Sequence, residues 1–550
     1  MNNFMYDLNR PGRPPTRAQR GLVCTPHYLA SSTGLDVLRD GGSAVDAAIA
    51  ANATLCVVYP HMAGLGGDGF WQICADGEVS AINASGPAAS DATREYYDDL
   101  GYEEIPERGS ASALTVPGAV DGWRLAHEEH GRLPWDRLFA DAITYAREGV
   151  AITDDFARWI ATDADVLAEQ STAADVFLSN GEPPAAGTTI QQPDLADSFE
   201  TLATRGPREG FYEGPIADEF CESVGEQSPL DPSDFSDYSA EWVTPLSTEY
   251  RGYTVHSLPP NTQGIAALQI LGLLDEFDVS AWGDGTADYY HHMAEATKVA
   301  FGDRDAWVTD PEAVDLPAEK LLSTEYLDER RQMIDATKSL PANVQPGITP
   351  AGINPQPQEP GGDTCYLTVV DDDGLVVSLI QSIYFDFGSG IVAGNTGIIP
   401  QNRGSFFSLD PTHVNSLEPG KRTFHTLIPG LITKDGEPWL AYGTMGGEGQ
   451  PQTQAALVSR LVDFGCDVQT AIEAPRWLFG RTWGDESRSL SLEGRVPDGV
   501  VTELQRRGQP VAMARDFDDT MGHAAAIRLH SDGTLEGGAD PRGDGAALGY

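Results

Sequence analysis

The segment Gly361-Gly362-Asp363-Thr364-Cys365-Tyr366-Leu367-Thr368-Val369-Val370-Asp371 puts a threonine at the head of an apolar, β-branched run, directly after a Pro- and Gly-rich stretch. A hydroxyl is a weak nucleophile at neutral pH unless a base lies beside it. If the backbone breaks between Asp363 and Thr364, Thr364 gains a free α-amine next to its own hydroxyl. One residue then supplies both nucleophile and base, a variant of triad logic. Cys365 carries the better intrinsic nucleophile, but only residue 364 would own the new amine, so Cys365 reads as structural. The first reaction would be internal: the Thr364 hydroxyl attacks the Asp363 carbonyl, an ester replaces the peptide bond, and water releases it. The same hydroxyl would then attack a substrate amide. An amine or ammonia leaves, and water or an acceptor amine resolves the acyl-enzyme.

Each tetrahedral intermediate needs donors for its oxyanion. Trp439–Thr444 reads as a strand, Met445-Gly446-Gly447-Glu448-Gly449 follows, and a helix is predicted to begin near Pro451. Residues without side chains at a helix entrance leave backbone N–H groups pointing at an anion, so Gly446 and Gly447 are candidate donors; a plain strand-to-helix turn would look the same locally. Gly64-Leu65-Gly66-Gly67-Asp68-Gly69 fits GxGxxG, but an alanine-rich helix precedes it and a hairpin follows, the wrong context for a dinucleotide. Close backbone packing near the site is the expectation for that loop. His61, His291, His292, His425 and His523 do not repeat at metal-ligand spacing, and the chemistry above needs neither metal nor cofactor.

Positioning these residues requires sheets. Asp76-Gly77, Asp373-Gly374, Asp435-Gly436 and Asp532-Gly533 each stand between β-rich runs, a strong hairpin signal. Ser382 falls in the second strand of the Asp373-Gly374 hairpin. Helices are predicted over residues 31–57 with a break at Asp40-Gly41-Gly42, and the alanine-rich stretch Val45–Cys56, which carries little charge, should be buried. Residues 100–340 read as mostly helical, with amphipathic pieces at Trp135–Glu148 and Ala287–Phe301 and a strand at Tyr253–Leu258. Two antiparallel sheets covered by helices fit this pattern, an α+β class. Residues 1–20 are expected to form a flexible arm, and the proline-rich residues 341–363 a linker ending at the cleavage point. The remaining division is a large piece, 21–363, and a small piece, 364–550, that starts with the nucleophile.

The 550 residues carry 83 acids against 35 lysines and arginines, a formal net charge of −48 spread along the chain. Such a field repels nucleic acid and anionic membrane. It suits solubility in concentrated salt, where the Debye length falls to about 3 Å and self-repulsion is screened. A salt-adapted, halophilic cytoplasm is therefore expected; evenly scattered charge fits poorly with one acidic face for a basic partner. The N-terminus lacks a 7–15-residue apolar core and reads as no secretory signal, and there is no apolar run of about 18 residues. Six cysteines without CxxC spacing read as reduced core residues.

Several ordered tracts resemble the γ-glutamyltranspeptidase family of N-terminal-nucleophile hydrolases: GLDVLRDGGSAVDAAI (34–49), YPHMAGLGGDGF (59–70), VPGAVDGW (116–123), FYEGP (211–215), FGSG (387–390), Gly446-Gly447 and Asp540-Pro541-Arg542. The resemblance runs from about Thr16 to Tyr550. It implies a four-layer αββα sandwich built jointly by two autoprocessed fragments of one proenzyme. It implies Thr364 as nucleophile, Gly446 and Gly447 as oxyanion glycines, and Ser382 as the hydroxyl that hydrogen-bonds the nucleophile. It leaves association of processed pairs into a higher oligomer open.

The family's glutamyl enzymes hold the substrate's α-carboxylate and α-ammonium with an arginine, an aspartate and a serine pair. Here the arginine position falls in Ala81–Ser85, which offers Ser85 and no cation; the aspartate is Phe406; the serines are His425-Thr426; and an asparagine of the second strand is Tyr384. Arg403 and His425 bring different polarity, suited to a small carboxylate. The tracts 382–390, 446–454 and Gly480-Arg481-Thr482-Trp483-Gly484 resemble the oxamate amidohydrolase branch. A small acidic amide is therefore the first substrate expected. The alternatives are a γ-glutamyltransferase or glutathione hydrolase, a cephalosporin-type acylase, and an unprocessed inactive relative.

Overall fold

The computed structural model describes residues 12–350, 362–480 and 488–550. Part of the expected arm (1–11), the middle of the expected linker (351–361) and the tract from Arg481 to Gly484 lie outside the described residues.

Among the described residues two seven-stranded antiparallel sheets dominate. Their strands are, in chain order, β1 (Thr16–Ala18), β2 (Leu22–Thr25), β3 (Asp68–Ala75), β4 (Glu78–Ala84), β5 (Glu241–Val243), β6 (Leu246–Tyr250) and β7 (Tyr253–Ser257). There follow β8 (Asp363–Val370), β9 (Val376–Tyr384), β10 (Gly430–Lys434), β11 (Glu437–Thr444), β12 (Ala524–Leu529), β13 (Leu535–Ala539) and β14 (Ala546–Gly549). One sheet runs β1-β13-β12-β11-β10-β7-β6 and the other β14-β2-β8-β9-β3-β4-β5. Each sheet thus takes strands from both sides of the Asp363–Thr364 junction, and neither piece can complete a sheet alone.

Three apolar cores separate four layers. Leu22, Phe70, Tyr366, Ile380, Leu431, Ala441 and Ile527 pack between the sheets. Val45, Ile49, Leu55, Leu367, Val377 and Leu379 join the second sheet to α1 (Tyr28–Arg39) and α2 (Ala44–Val58). Val255, Leu268, Val299, Ile432, Leu440 and Tyr442 join the first sheet to further helices. The period of two is visible residue by residue: Leu431 faces the other sheet and Ile432 the helices, Ala441 the other sheet and Leu440 the helices. The architecture is the αββα sandwich.

The four Asp-Gly signals close hairpins of two kinds. Asp76-Gly77 and Asp435-Gly436 have positive φ at both residues and make two-residue turns, whereas Asp373-Gly374 and Asp532-Gly533 sit in longer loops where only the glycine is left-handed. Three expectations need correction. Ordered structure begins inside the expected arm, because Thr16–Ala18 pairs with Leu535–Gly537. Residues 341–350 are anchored rather than loose: Val344 is buried, Trp307 Nε1 donates to the Ile348 carbonyl and Arg330 Nη2 to that of Gln345. The helix predicted over Ala287–Phe301 runs to Trp307 and is not amphipathic; it is buried on every side from Tyr289 onward. Its polar residues find partners inside, Lys298 with Glu295, Asp303 with Tyr326 and Arg304 with Glu448. The other amphipathic piece starts as a 3-10 turn, Trp135–Phe139, before Ala140–Glu148 turns α-helical. All six cysteines are free thiols, five of them buried. Among the described residues no helix is long and apolar enough to cross a membrane.

Candidate active site

Thr364 is buried near the start of β8. The ladder with β9 pairs Asp363 with Tyr384 and Cys365 with Gln381, so Thr364 lies in a bulge opposite Ser382 and Ile383. Cys365 belongs to the helix-facing core, near Asn52 and Gln381, and burial pushes its thiol up to about 12. Tyr366, one residue on, faces the other sheet and its ring covers Gly443 of β11, where an added Cβ would sit 2.4 Å from the ring. That contact brings the strand of Thr364 against the strand that leads to Gly446. Before the junction, Gly362 (φ +123) packs on Tyr384 so closely that a Cβ would lie 2.7 Å from the ring.

β9 ends by turning at Tyr384, whose φ of 82 is unusual for a residue with a side chain. The Ser382 hydroxyl stabilises the turn by accepting the Tyr384 N–H at 2.7 Å. Arg403 Nη2 reaches the same oxygen at 3.4 Å, and the guanidinium lies 4.0 Å over the Tyr384 ring. Arg403 is buried, yet among the described residues its Nε and Nη1 have no acceptor and no carboxylate forms an ion pair with it. Burial pulls the guanidinium down to about 10, which leaves it charged at neutral pH. Phe406, one turn on, sets its ring edge-on to Tyr384 at 6.3 Å and near Phe424 at 5.1 Å, so this wall is aromatic.

Asp68 contributes the nearby negative charge. Its Oδ1 accepts the Gly86 and Gly118 N–H groups (both 3.1 Å) and Gln401 Nε2 (3.0 Å), and its Oδ2 faces His425 Nε2 at 3.2 Å. Burial pushes Asp68 up to about 6, so it is ionised at neutral pH. Burial, and then Arg403, hold His425 well below its ordinary value. The neutral imidazole therefore carries its proton on Nε2, toward Asp68, and Nδ1 is a buried acceptor with no partner among the described residues. Asp68 Oδ1 takes three donors and Oδ2 one, and among the described residues Asp68 and Arg403 interact through charge without a direct ion pair. The glycine loop before it packs tightly: a Cβ at Gly67 would lie 2.2 Å from the Ser382 carbonyl, and one at Gly66 2.1 Å from that of Ile399.

Ser85 donates to Asn83 Oδ1 at 2.7 Å, Asn83 Nδ2 donates to Asn261 Oδ1 at 3.0 Å, and the Asn261 carbonyl accepts the His425 N–H at 2.8 Å. Ser85 is thus tied into a buried amide chain. After β11 the backbone turns through Gly446 (φ 126) and Gly447 (φ 49), conformations open to glycine, into the helix Gly449–Val462. The Met445 N–H is fixed to the His523 carbonyl at 3.1 Å. Among the described residues no acceptor takes the buried Gly447 N–H, as an oxyanion donor requires. The Thr426 carbonyl is linked to that of Gly447 through Gln263, whose Nε2 donates to both.

The segment after Tyr384 is held by Arg108, which donates to the Asp386 and Gly388 carbonyls and pairs with the Asp386 carboxylate at 3.1 Å. Burial and a hydrogen bond with Asp386 push Asp163 up to about 9, so its carboxyl keeps its proton at neutral pH. A carboxyl that binds its proton more tightly when folded contributes stability that is full below pH 4 and is lost as pH rises toward 9. Asp163→Asn, which replaces the protonated acid by a neutral amide, is expected to change Tm least near pH 4 and to raise it progressively toward pH 9. A Tm difference that does not vary with pH would contradict the shared proton.

Among the described residues no three His, Cys, Asp or Glu side chains gather as a metal would need. Asp68, Asn261, Gln263, Arg304 and Glu448 were not singled out from sequence. The signals were faint: an acid closing a glycine loop, a polar triplet between Pro260 and an apolar helix, and an acid within a glycine run.

The family model for Gamma-glutamyltranspeptidase matches residues 30–550. The "glutathione hydrolase-like YwrD proenzyme" of Bacillus subtilis is 45% identical, over 96% of this chain and 98% of its own. The "oxamate amidohydrolase proenzyme" of Klebsiella pneumoniae is 44% identical over the same shares. Among solved structures, a cephalosporin acylase from Bacillus halodurans superposes with a TM-score of 0.88 at 36% identity, covering 100% of this chain and 99% of that one.

Proposed function

Because the chain belongs to the γ-glutamyltranspeptidase family, whose members are hydrolases and transferases made as proenzymes, we propose that it hydrolyses a small amide carrying one carboxylate, of which oxamate is the simplest. The observation that carries this reading is Arg403: a buried guanidinium that, among the described residues, has two unpaired donors and no ion-paired carboxylate. An isolated buried charge is costly, and a substrate carboxylate would neutralise it and accept both donors. A γ-glutamyl substrate would also bring an ammonium. Asp68, the carboxylate beside Arg403, already accepts four hydrogen bonds, and Phe406 presents a ring. An ammonium left unpaired there would cost about 3–5 kcal/mol. His425 Nδ1, a bare acceptor close to the cation, suits the N–H of a primary amide.

In this reading the Thr364 amine takes the proton of its own hydroxyl as the oxygen attacks the amide carbon. The N–H groups of Gly446 and Gly447 receive the oxyanion. Collapse expels ammonia, which leaves with that proton. A water then attacks the ester, and the diacid departs as Thr364 regains its hydrogen. The same hydroxyl and the same glycines would serve the earlier cleavage at Asp363.

The test is ammonia release from oxamate against amine release from a γ-glutamyl anilide, with the processed protein in about 2 M KCl. Oxamate turnover is expected to dominate; glutamyl turnover without oxamate turnover would overturn the substrate and favour the glutathione hydrolase reading suggested by the Bacillus subtilis relative's name. The salt belongs to the proposal. With a net charge of −48, self-repulsion in a salt-rich cytoplasm is screened within about 3 Å at 1 M but only within about 10 Å at 0.1 M. Dilution from 2 M to 0.1 M KCl is expected to lower Tm by ~10 °C or more. A Tm that ignores salt would remove the halophilic reading and leave the substrate assignment standing.

A further inference from the structure

Gln263 sits in the turn between β7 and the buried helix Gly264–Leu274 and has no exposed surface. Its backbone N–H and both ends of its carboxamide are engaged with the site, while its backbone carbonyl accepts the Ala266 N–H at 2.9 Å and so starts the helix. Its backbone N–H donates to the His425 carbonyl at 3.0 Å. Its side-chain Nε2 donates to two carbonyls at once, that of Thr426 at 2.9 Å and that of Gly447 at 3.0 Å. Its Oε1 accepts Arg304 Nη1 at 3.3 Å. Arg304, itself buried, also pairs with Glu448 at 2.9 Å, the residue that follows Gly447. The orientation of the carboxamide is therefore determined: only the NH₂ end can face the two carbonyls, because the other end faces a guanidinium.

The consequence is geometric. Gly447 has no side chain to restrain it, and a glycine peptide can rotate at little cost. Its N–H must nevertheless point where the oxyanion forms, within a few tenths of an ångström, before the reaction begins. Gln263 holds the carbonyl of that residue from below. With its second hydrogen it holds the carbonyl of Thr426, and with its backbone that of His425, the segment that brings His425 to Asp68. One residue so connects the peptide that stabilises the transition state with the wall that would receive the substrate.

We propose that Gln263 is a positioning residue that sets the Gly447 peptide for the oxyanion and keeps it in register with the His425-Thr426 wall. The proposal rests on the reading of Gly446 and Gly447 as oxyanion donors. Because self-cleavage at Asp363 and substrate turnover pass through tetrahedral intermediates at the same peptides, both should depend on Gln263 to a similar degree. Binding of a planar carboxylate, which needs Arg403 and no oxyanion donor, should not.

Gln263→Glu keeps the length of the side chain and its contact to Arg304 but replaces the double donor by an oxygen that repels both carbonyls. Gln263→Met keeps length without charge and serves if the glutamate variant does not fold. The measurements are the rate of self-cleavage from intact mass over time, kcat and KM for the turned-over amide, and the Kd of oxalate as a planar dicarboxylate ligand. A slowing of self-cleavage and of kcat by a common factor of ~10- to 100-fold is expected, with the oxalate Kd within about threefold of the parent. Unchanged rates, or a loss confined to KM and the oxalate Kd, would overturn it. Gly447→Ala, measured in parallel, separates the two assumptions. If Gly447→Ala slows neither reaction, the oxyanion reading itself falls. If it slows both while the Gln263 variants do not, only the role of Gln263 falls.

Discussion

Thr364→Ala is expected to remain one uncut polypeptide of 550 residues after prolonged incubation in concentrated salt, and to turn over no amide, whereas the parent chain separates at Asp363–Thr364. The expected loss of turnover is at least ~10⁴-fold, because nucleophile and base are removed together. Two separate consequences of one substitution make the test sharp. A variant that still cleaves would assign self-cleavage to another group, and Cys365 would be the first suspect by sequence. The structure argues against it: Cys365 points into the helix-facing core with its thiol pushed up to about 12, one residue out of phase with the side that faces the other sheet. Thr364→Ser keeps hydroxyl and amine and is expected to cleave and turn over more slowly, having lost only the methyl group that restricts its rotamer. A cut Thr364→Ser chain beside an uncut Thr364→Ala chain would isolate the hydroxyl as the reacting group. The alanine substitution removes little volume from a fold whose sheets contain strands from both pieces, so failure to cleave would not reflect failure to fold; an unchanged cooperative thermal transition verifies that.

What could be read without coordinates follows how locally each feature is encoded. Hairpins were legible because a turn is a statement about two to five consecutive residues: Asp76-Gly77 and Asp435-Gly436 have the backbone signs that the residue pair demands. Thr364 and Gly446-Gly447 could be nominated for the same reason, since a nucleophile heading a strand and a glycine pair entering a helix are patterns of neighbours. Burial of the helix Ala287–Trp307 was misjudged because its charges looked like a solvent face, and only their partners, such as Glu448 for Arg304, reveal that they are interior. The support of the site was the least legible part. Asp68 and His425 stand 357 residues apart, and Gln263 stands 163 and 184 residues from the two carbonyls it holds. A glutamine that donates to two distant carbonyls has no local signature, since its pattern is created by the fold and not by its neighbours. The same holds for Arg403: sequence reveals a cation among many acids, and only three dimensions reveal that no described acid forms an ion pair with it.

That missing partner leads to the second large effect. Arg403→Met is expected to reduce kcat/KM for an acidic amide by ~10²- to 10³-fold, mostly through KM, while the protein becomes no less stable than the parent. The two halves of this prediction have one cause. The guanidinium is buried over Tyr384 with Nε and Nη1 unpaired, so in the absence of substrate it is a charge removed from water without full compensation. Methionine fills a similar volume, keeps contact with the Tyr384 ring and removes the uncompensated charge, which is neutral or favourable for folding. The cost then appears only when a carboxylate arrives and finds no cation. Thermal unfolding and steady-state kinetics on the same preparation read both halves. A third measurement makes the assignment specific: a neutral amide of the same size, with a hydroxymethyl group in place of the carboxylate, should lose little on Arg403→Met, because it never used the charge. Equal losses on the charged and neutral amides would mean that Arg403 supports the fold of the site through Ser382 and Tyr384 and does not read the substrate. A large drop in Tm would carry the same meaning, since a residue held for function at the expense of stability should release that expense when it is removed.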